Sequence, residues 1–391
     1  MDRSHVADPG TAGARDAAGV TGNRHGLDSA RHRVVYRAAA ELRRGLPVLL
    51  TGGTPLVILP AETAGRRGLR EMVELGGEPP TLLLTPVRAA SVLHRPVQRD
   101  GSVVALTLGS ALCTPEHLQA LADPTLDQAR PEQPEVVSPP PAAPAALALL
   151  KLARLLPAAV AVAPGPQAAE TAARLGLLSV AADEVIGGSH SGAGEGALTR
   201  LAEARVPLED AAETRIIAFR ADDAGIEHLA IVVGDPHAVE APLVRLHSEC
   251  FTGDLLGSLR CDCGLQLRAA IRRMAQEQAG VLLYLAQEGR GIGLVNKLRA
   301  YKLQDRGLDT IDANRALGWG ADERNFQIAA TMLDALGIRR IRLLTNNPDK
   351  LAALAACGIA IAGRVPHAFK PNGVNDHYLA TKARRFGHLL D

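Results

Sequence analysis

The sequence predicts a mixed α/β fold, in which a domain built on a mixed sheet is preceded by a second α/β domain. Three observations predict this: apolar runs of strand length, helical periodicity between them, and two shifts in composition along the 391 residues. A chain of this length has room for two or three domains. We expect a leader of disordered composition at 1–28, a first domain at 29–197 and a second domain at 198–391.

The first domain opens with a helical pattern over 33–42. Apolar runs that end at turn residues then predict strands at 47–50, 55–60 and 81–85, and apolar periodicity predicts a helix at 68–75. These elements alternate, as expected for an α/β domain.

Repeated prolines mark 123–144 as a surface loop, extended where the prolines are consecutive. A helix at 145–156, a buried strand at 157–163 and a helix at 166–175 are predicted after it. The glycine-rich stretch 187–196 does not fit the spacing of a dinucleotide-binding loop, and we expect a flexible junction there.

The second domain begins with β-rich sequence, after which helices and strands alternate. Apolar positions one helical turn apart predict a helix at 266–278, and a further helix is expected to begin at Pro348. The predicted strands are 216–219, 229–233, 243–246, 281–285 and 341–345.

Charge and cysteine usage limit the classes of partner and compartment. With 43 basic and 42 acidic residues the net charge is +1, which gives no electrostatic basis for binding nucleic acid or an anionic membrane. No run of 18 apolar residues suggests a membrane span, and the first 30 residues lack the apolar core of a signal peptide. Five cysteines, three of them clustered, indicate a reducing, cytoplasmic protein. Cys113 and Cys357 are expected to be small buried hydrophobic residues.

The three clustered cysteines, Cys250, Cys261 and Cys263, are the most informative feature. Zinc prefers four tetrahedral ligands, so three thiolates leave one position for water or substrate. His247 is the only nearby candidate for a fourth ligand. We place Cys261 and Cys263 on an extended segment, where residues two apart share a face. The set indicates a catalytic zinc, which lowers the pKa of a bound water to about 7; a structural zinc or a disulfide is the alternative.

Segment 287–293, Gln-Glu-Gly-Arg-Gly-Ile-Gly, directly follows a predicted strand. Its glycines permit a close approach of backbone to ligand. Glu288 is suited to accept hydrogen bonds from an amidine-like ring edge, and Arg290 to bind phosphate through two parallel donors. An ordinary turn is the alternative interpretation.

A predicted helix at 296–302 carries one tyrosine and several cations. Tyr301 is expected either to donate a hydrogen bond or proton beside the metal, or only to pack its ring. Arg299 and Lys302 are expected on a solvated face, as charged helix residues usually are.

Two further segments indicate anion binding. Asp322 is placed at the N-cap of a helix, and Arg324 in its first turn opposes the helix dipole unless an anion lies there. Thr345 and Lys350 lie close to the helix start at Pro348, whose free N–H groups bind anions. Together with the thiols, these groups suggest hydrolysis of a phosphorylated small molecule.

The segments that carry this chemistry together resemble GTP cyclohydrolase II, the first committed enzyme of riboflavin biosynthesis, and the resemblance covers 198–391. They read Arg-Leu-His-Ser-Glu-Cys at 245–250, Ser-Leu-Arg-Cys-Asp-Cys at 258–263, Gln-Glu-Gly-Arg at 287–290, Asn-Lys-Leu-Arg-Ala-Tyr at 296–301, Ala-Asp-Glu-Arg at 321–324 and Leu-Thr-Asn-Asn-Pro at 344–348.

The resemblance implies a zinc-dependent hydrolysis of GTP to 2,5-diamino-6-ribosylamino-4(3H)-pyrimidinone 5′-phosphate, formate and diphosphate. It implies one zinc per subunit on the three cysteines, Mg²⁺ with the triphosphate, and a homodimer. The implied GTP-binding residues are Arg245, Leu246, His247, Ser248, Glu249, Gln266, Glu288, Gly289, Arg290, Thr310, Thr345 and Lys350.

The same resemblance implies three catalytic residues: Asp322 as proton acceptor, Arg324 as nucleophile or phosphate-binding group, and Tyr301 beside the purine for ring opening. A guanidinium holds its proton at physiological pH and is a poor nucleophile, so we favour an electrostatic role for Arg324. Two alternatives remain at this point: a related zinc hydrolase acting on another heterocycle, and a GTP-binding regulator without catalysis.

The first half resembles the dihydroxybutanone phosphate synthase domain often fused ahead of this enzyme, on the match Ala-Glu-Leu-Arg-Arg-Gly-Leu-Pro-Val-Leu-Leu at 40–50. That family follows with an acidic loop that binds metal, whereas this chain has Thr-Gly-Gly-Thr-Pro-Leu at 51–56. No carboxylate stands between Glu41 and Glu62, and magnesium needs carboxylate oxygens. We therefore expect a degenerate scaffold without synthase activity, serving folding, dimerisation or regulation.

Overall fold

The described part of the protein contains two seven-stranded sheets, one in each half of the chain. The computed structural model describes residues 31–97, 101–127, 133–190, 198–221 and 225–389. We refer to 31–190 as the N-terminal half and to 198–389 as the C-terminal half. The predicted mixed α/β fold is confirmed, because helices pack on both sheets.

The N-terminal half alternates short strands and helices. Its strands are β1 (Val48–Thr51), β2 (Leu56–Pro60), β3 (Thr81–Leu84), β4 (Val104–Thr107), β5 (Val136–Val137), β6 (Ala158–Val162) and β7 (Leu178–Ala181). Its helices are α1 (31–43), α2 (Arg66–Leu75), α3 (Pro86–Leu93), α4 (Pro115–Ala122), α5 (Ala143–Leu152), α6 (Ala168–Leu175) and α7 (Ala182–His190).

The strand order of this first sheet is β5-β4-β3-β6-β2-β1-β7, and β1 pairs with β7 in parallel while the other neighbours are antiparallel. Every residue of β2 is buried, because alternate side chains enter two different apolar cores. One core contains residues of α2, α3 and α4, and the other contains residues of α1, α5 and α7.

The C-terminal half begins with three long antiparallel strands and continues as helices and parallel strands. Its strands are β8 (Leu198–Arg205), β9 (Thr214–Ala221), β10 (Glu227–Gly234), β11 (Leu243–Ser248), β12 (Ala279–Leu285), β13 (Arg340–Leu344) and β14 (Ala360–Val365). Its α-helices are α8 (Cys263–Glu277), α9 (Leu294–Asp305), α10 (Thr310–Ala316), α11 (Gln327–Ala335), α12 (Pro348–Ala356) and α13 (Asp376–Phe386).

The second sheet has the order β14-β13-β11-β12-β10-β9-β8. Strands β14, β13, β11 and β12 run parallel to their neighbours within this group, and β10, β9 and β8 continue the sheet antiparallel. The carboxyl ends of parallel strands meet at one edge, where ligands bind in open α/β sheets. The segments after β11, β12 and β13 therefore converge.

The two halves share one apolar core. Ala300 and Leu303 of α9 and Trp319 lie in the same cluster as Leu82 and Val160 of the first sheet. The division into domains at residue 197 stays a prediction, although the second sheet does begin at Leu198.

Some predicted connections need correction. The loop predicted at 123–144 contains the two-residue strand β5 and the first residues of α5, and 128–132 lie outside the described residues. The junction predicted at 187–196 overlaps the end of α7, and 191–197 lie outside the described residues, as does the predicted leader. Cys357 is exposed and Cys113 only half-buried, so the prediction that both are buried is wrong.

Within the described ranges, no helix combines the length and the apolar character needed to cross a bilayer. The predicted cytoplasmic location stays a prediction.

Candidate active site

The three clustered cysteines lie where β11 ends and α8 begins. Cys250 precedes a π-helical turn, Phe251–Leu255, and Cys263 is the first residue of α8. The prediction of an extended segment for Cys261 and Cys263 is therefore wrong, and the helix starts three residues earlier than predicted. Their sulfurs and that of Cys250 all lie within 4.8 Å of one another.

The donor set fits zinc. The Sγ atoms of Cys250 and Cys261 are 3.7 Å apart, close to the separation of about 3.8 Å that tetrahedral zinc–thiolate bonds of ~2.3 Å impose. Gly253 packs over the cluster: a Cβ there would lie 2.7 Å from the Cys261 sulfur and 3.0 Å from that of Cys250. Hydrogen bonds from the other two thiols, and from Lys297, hold the pKa of Cys250 far below its usual range.

Lys297 of α9 joins the thiol cluster to the segment after β12. Its Nζ donates to the Cys250 sulfur at 3.0 Å and to Glu288 Oε1 at 2.7 Å. The second oxygen of Glu288 accepts from the backbone N–H of Phe251 at 2.6 Å. Both Glu288 oxygens are thus engaged by the protein, and Lys297 is a site residue that the sequence analysis did not single out.

Asp254 fixes the orientation of the β11 end. Its carboxylate accepts from His247 Nε2 at 3.1 Å, from the Cys250 backbone N–H at 3.0 Å and from the Tyr284 hydroxyl at 3.0 Å. The Nδ1 atom of buried His247 has no hydrogen-bond partner among the described residues. Burial lowers the pKa of His247, which favours a neutral ring that donates from Nε2. His247 is therefore held by Asp254 and leaves Nδ1 as a hydrogen-bond acceptor.

Tyr301 lies one turn after Lys297 on α9. Its hydroxyl is 3.4 Å from Thr252 Oγ1, and that oxygen is 3.9 Å from the Cys250 sulfur. The Arg260 guanidinium stacks over the ring at 4.7 Å from its centroid. Burial raises the pKa of Tyr301, so the phenol keeps its proton and remains a donor beside the thiols.

The segment after β12 turns through left-handed backbone. Gly289 and Arg290 both have φ of 65°, a conformation that glycine adopts freely and arginine rarely. The turn leaves the Arg290 side chain half-buried, and burial lowers its pKa. An uncommon backbone conformation at a half-buried cation is typical of functional sites.

Two buried cations of the pocket have, among the described residues, only neutral oxygens as hydrogen-bond acceptors. Arg245 donates to the Leu344 carbonyl at 3.1 Å and to the Gln266 side chain, and burial lowers its pKa to about 10. Lys350 donates to the Leu246 carbonyl at 2.8 Å, and burial followed by repulsion from nearby guanidinium groups lowers its pKa strongly. No carboxylate of the described residues forms an ion pair with either, so an anion would stabilise both.

Asp322 and Arg324 form a bidentate ion pair ahead of α11. Arg324 Nε donates to Asp322 Oδ1 at 2.8 Å, and its Nη2 donates to the other oxygen. Burial opposes ionisation of Asp322, but the bonds from Arg324 prevail and leave its pKa below the usual value. The predicted N-cap role is wrong, since α11 begins only at Gln327. By contrast, α12 begins at Pro348 as predicted, with Asn347 accepting from the Asp349 N–H at 2.9 Å.

Seventeen of the eighteen predicted site residues line one pocket. The exception is Asp322, which does not line the pocket but is bonded to Arg324, which does. The pocket has a volume of about 1190 Å³, including the part open to solvent. Residues that no sequence motif indicated also line it, among them Tyr378, Lys382 and His388 from α13 and the segment after it. Lys382 donates to Asp262, which lies between two of the cysteines, at 2.7 Å.

The comparisons with known proteins agree with this site. The family model described as GTP cyclohydrolase II matches residues 199–366. A protein of Azospirillum brasilense named GTP cyclohydrolase-2 is 50% identical over 377 residues, which cover 93% of this chain and 96% of that protein. One of Pasteurella multocida with the same name is 50% identical over 194 residues, 49% of this chain and 88% of that protein.

Among solved structures, a two-domain 3,4-dihydroxy-2-butanone 4-phosphate synthase from A. baumannii matches at 19% identity with a TM-score of 0.30, covering 80% of this chain and 93% of that one. The identity to the Azospirillum relative extends over nearly the whole of both chains. The chain therefore belongs to the GTP cyclohydrolase II family.

Proposed function

We propose that this protein is a zinc-dependent GTP cyclohydrolase II of riboflavin biosynthesis. It would convert GTP to 2,5-diamino-6-ribosylamino-4(3H)-pyrimidinone 5′-phosphate, formate and diphosphate. The observation that carries the proposal is a single pocket in which three clustered thiols lie with two buried cations, Arg245 and Lys350, that form no ion pair with a carboxylate of the described residues.

Cys250, Cys261 and Cys263 would hold one zinc per chain. When bound, zinc supplies a Lewis acid that generates a nucleophile from water at neutral pH. Lys297 donates to the Cys250 sulfur, which stabilises the thiolate form that metal binding requires. The Asp254 carboxylate fixes the same ligand by accepting from the backbone N–H of Cys250. These contacts support a site built for metal.

The triphosphate would be bound by the cations of the pocket. Arg324 disfavours the charged forms of Arg290 and Lys350, and Arg245 disfavours that of Lys350. A triphosphate carrying Mg²⁺ offsets that repulsion. Arg324 would stabilise the charge that develops as diphosphate leaves the α-phosphorus, because its planar donors match phosphate oxygens.

Proton transfer and base recognition would fall to residues whose protonation state is fixed by their surroundings. The ion pair with Arg324 keeps Asp322 as a carboxylate, the form that is able to accept a proton. Tyr301 is a protonated phenol near Cys250 and is placed to donate a hydrogen bond during ring opening. His247 Nδ1 would accept a hydrogen bond from the substrate. The remaining predicted GTP-binding residues line the same pocket.

The N-terminal half would be a scaffold without synthase activity. Residues 51–55 at the end of β1 offer hydroxyl and backbone groups but no carboxylate for magnesium. The domain boundary at 197, a homodimer and a cytoplasmic location belong to the same proposal.

The test is to incubate the purified full-length protein with GTP and Mg²⁺ and to quantify formate and diphosphate. Cys261→Ser should lose its bound zinc, and its rate of formate release should fall by about 10³-fold or more. Cys357→Ser is the matched control, since that cysteine is exposed and does not line the pocket, and it should keep both.

Formate and diphosphate in equal amounts from the wild type would establish the full reaction. GTP binding without either product would support a regulator instead. Formate released from a different heterocycle in preference to GTP would point to a related hydrolase.

A further inference from the structure

Helix α9 contacts both the pocket and the N-terminal half. Lys297 and Tyr301 line the pocket, Leu303 packs in the core of the first sheet, and Ala300 does both. The short helix α10 and Trp319 pack in that core as well. The helix that carries two site residues is therefore part of the folded core of the other half.

Arg299 of α9 ties the helix to two carboxylates of the N-terminal half. Its Nη1 donates to Glu62 Oε1 at 2.8 Å, and its Nε donates to Asp123 Oδ2 at 2.7 Å. The three side chains are at most 18% exposed. Loss of one member would leave a mostly buried charge without its partner, which is strongly unfavourable. The expectation of a solvated face is wrong for Arg299. Lys302 is exposed as expected, and its Nζ also donates across, to the Thr125 carbonyl at 3.0 Å.

Arg154 forms a second contact between the two halves, with the segment that leads into Glu288. It adopts a left-handed φ of 57°, and its Nη2 donates to the Ala286 carbonyl at 2.9 Å. Its own carbonyl accepts from the fully buried Asn296 Nδ2 at 3.0 Å. A non-glycine residue held in this conformation indicates that the surrounding contacts determine it.

Lys151 forms a third contact between the two halves, with the segment that carries Asp322 and Arg324. Its Nζ donates to Glu323 Oε1 at 2.7 Å and lies 5.7 Å from the Trp319 ring centroid. The backbone N–H of Glu323 donates to the Arg290 carbonyl at 3.1 Å, so this tie also reaches the Arg290 turn.

The cysteine segments are fixed differently. Cys250 and Asp262 contact Asp254, Lys297 and Lys382, among other residues of the C-terminal half. The described contacts with the N-terminal half thus reach the segments of Glu288, Tyr301 and Arg324 directly. They reach the cysteine segment at second hand, through Lys297 at Cys250, Glu288 at Phe251 and Tyr301 at Thr252.

We propose that the N-terminal half is a brace that positions the non-cysteine part of the active site, with Arg299 as its principal positioning residue. The inference rests on the proposed function. Misplacement of a catalytic group by about 1 Å is enough to cost about 10²-fold in rate, so a tie that sets the position of α9 affects turnover without touching substrate. A relative such as the Pasteurella protein, 88% of which is matched by 194 residues, has little chain left for such a brace.

The test compares Arg299→Ala and Arg299→Lys in the full-length protein. Arg299 does not line the pocket, so Arg299→Ala should lower kcat for formate release about tenfold to a hundredfold, with KM nearly unchanged and one zinc still bound. Arg299→Lys keeps the charge and should recover part of kcat. Arg174→Ala, which removes the exposed Arg174–Glu74 pair within the N-terminal half, is the matched control and should have wild-type kcat.

Trp319 is the only tryptophan of the chain and is buried in the shared core, so its fluorescence reports on this interface directly. Arg299→Ala should increase its quenching by acrylamide, and Arg174→Ala should not. If Arg299→Ala does not fold, Glu62→Gln and Asp123→Asn keep side-chain shape and should each lower kcat several-fold.

A zinc-loaded, folded Arg299→Ala protein with wild-type kcat would overturn the brace. If the wild type releases no formate, the proposed function is wrong. In that case acrylamide quenching of Trp319 still tests the brace, and unchanged quenching in Arg299→Ala would contradict it.

Discussion

The two halves of the molecule are both seven-stranded sheets packed with helices, yet they differ in what gathers at their strand ends. In the N-terminal half, β1 and β7 are the only parallel neighbours in the described sheet, and β1 ends in a turn of threonine and glycine. In the C-terminal half, β11, β12 and β13 are followed by Cys250, Glu288 and Thr345, which all line one pocket.

The difference lies in topology more than in composition. Parallel strands bring their carboxyl ends to the same edge, so segments distant in sequence converge there. Antiparallel neighbours send successive ends to opposite edges, and the first sheet has no comparable convergence in its described part. One half thus builds the site and the other supports it.

Among substitutions that leave the cysteines unchanged, the largest effect is expected at Arg324. Arg324→Ala should lower diphosphate release by about 10²–10³-fold while bound zinc is unchanged, because a preorganised phosphate-binding group is lost. Arg324→Lys keeps a charge but not the planar donors, and should recover only part of the rate. Arg339→Ala, at an exposed arginine, is the control. Equal rates in Arg324→Ala and the wild type would contradict the role assigned to Arg324.

A smaller effect is expected at the glycine over the thiols. In Gly253→Ala the added Cβ would meet two cysteine sulfurs at 3.0 Å or less, so the thiols must shift. Zinc affinity, measured by competition with a chelator, should fall about 10–100-fold, as for other disturbances around metal ligands. Gly363→Ala, where a Cβ meets nothing within 4 Å, should bind zinc normally. Unchanged affinity in Gly253→Ala would show that the thiols are not held as described.

The dependence of the free energy of unfolding on acidic pH should report on His228, a buried histidine. His228 Nδ1 accepts from the Ala286 N–H at 3.1 Å, and burial followed by the charge of Arg154 lowers its pKa from 6.5 to about 4. The unfolded chain therefore takes up a proton near pH 6.5 that the folded chain resists until about 4, so the free energy of unfolding decreases as pH falls through that window.

In His228→Gln, an amide oxygen can replace the acceptor without titrating, and urea unfolding at several pH values should show a shallower decrease. His367, whose pKa burial also lowers to about 4, will keep part of the slope. A slope identical to that of the wild type would mean that His228 is not held neutral by the fold.

The smallest effect is expected at the β1 turn. Thr54 is exposed and lies in the turn that follows β1, which contains no carboxylate. Thr54→Ala should leave kcat, KM and bound zinc within about twofold of the wild type, as surface substitutions usually do. A tenfold loss would show that the N-terminal half takes part in the chemistry and would break the comparison between the halves.

Local signals in the sequence were sufficient for the strands and for most of the pocket. The cysteine spacing, the glycine turn at Gly289 and the helix start at Pro348 each have a local physical cause, and the structure brings them to one pocket. Apolar runs with turn residues at their ends gave β2, β6 and β12 to within two residues.

What the sequence did not reveal depends on partners far along the chain. Arg299 looked like a solvated helix residue because its partners, Glu62 and Asp123, are 237 and 176 residues away. Lys382 reaches Asp262 across 120 residues, and no motif marks it. Asp322 resembled a cap because it precedes an apolar helical pattern, but its carboxylate is taken by Arg324. Pairings of this kind follow from tertiary packing, which periodicity and motif spacing do not encode.

The most direct test of the proposed chemistry is a zinc titration of the metal-free full-length protein with GTP and Mg²⁺, in which formate is measured against zinc bound. We expect formate release to rise in proportion to bound zinc and to saturate at one zinc per chain. Formate release at zero zinc, or a fully loaded protein that releases none, would contradict a zinc-dependent cyclohydrolase.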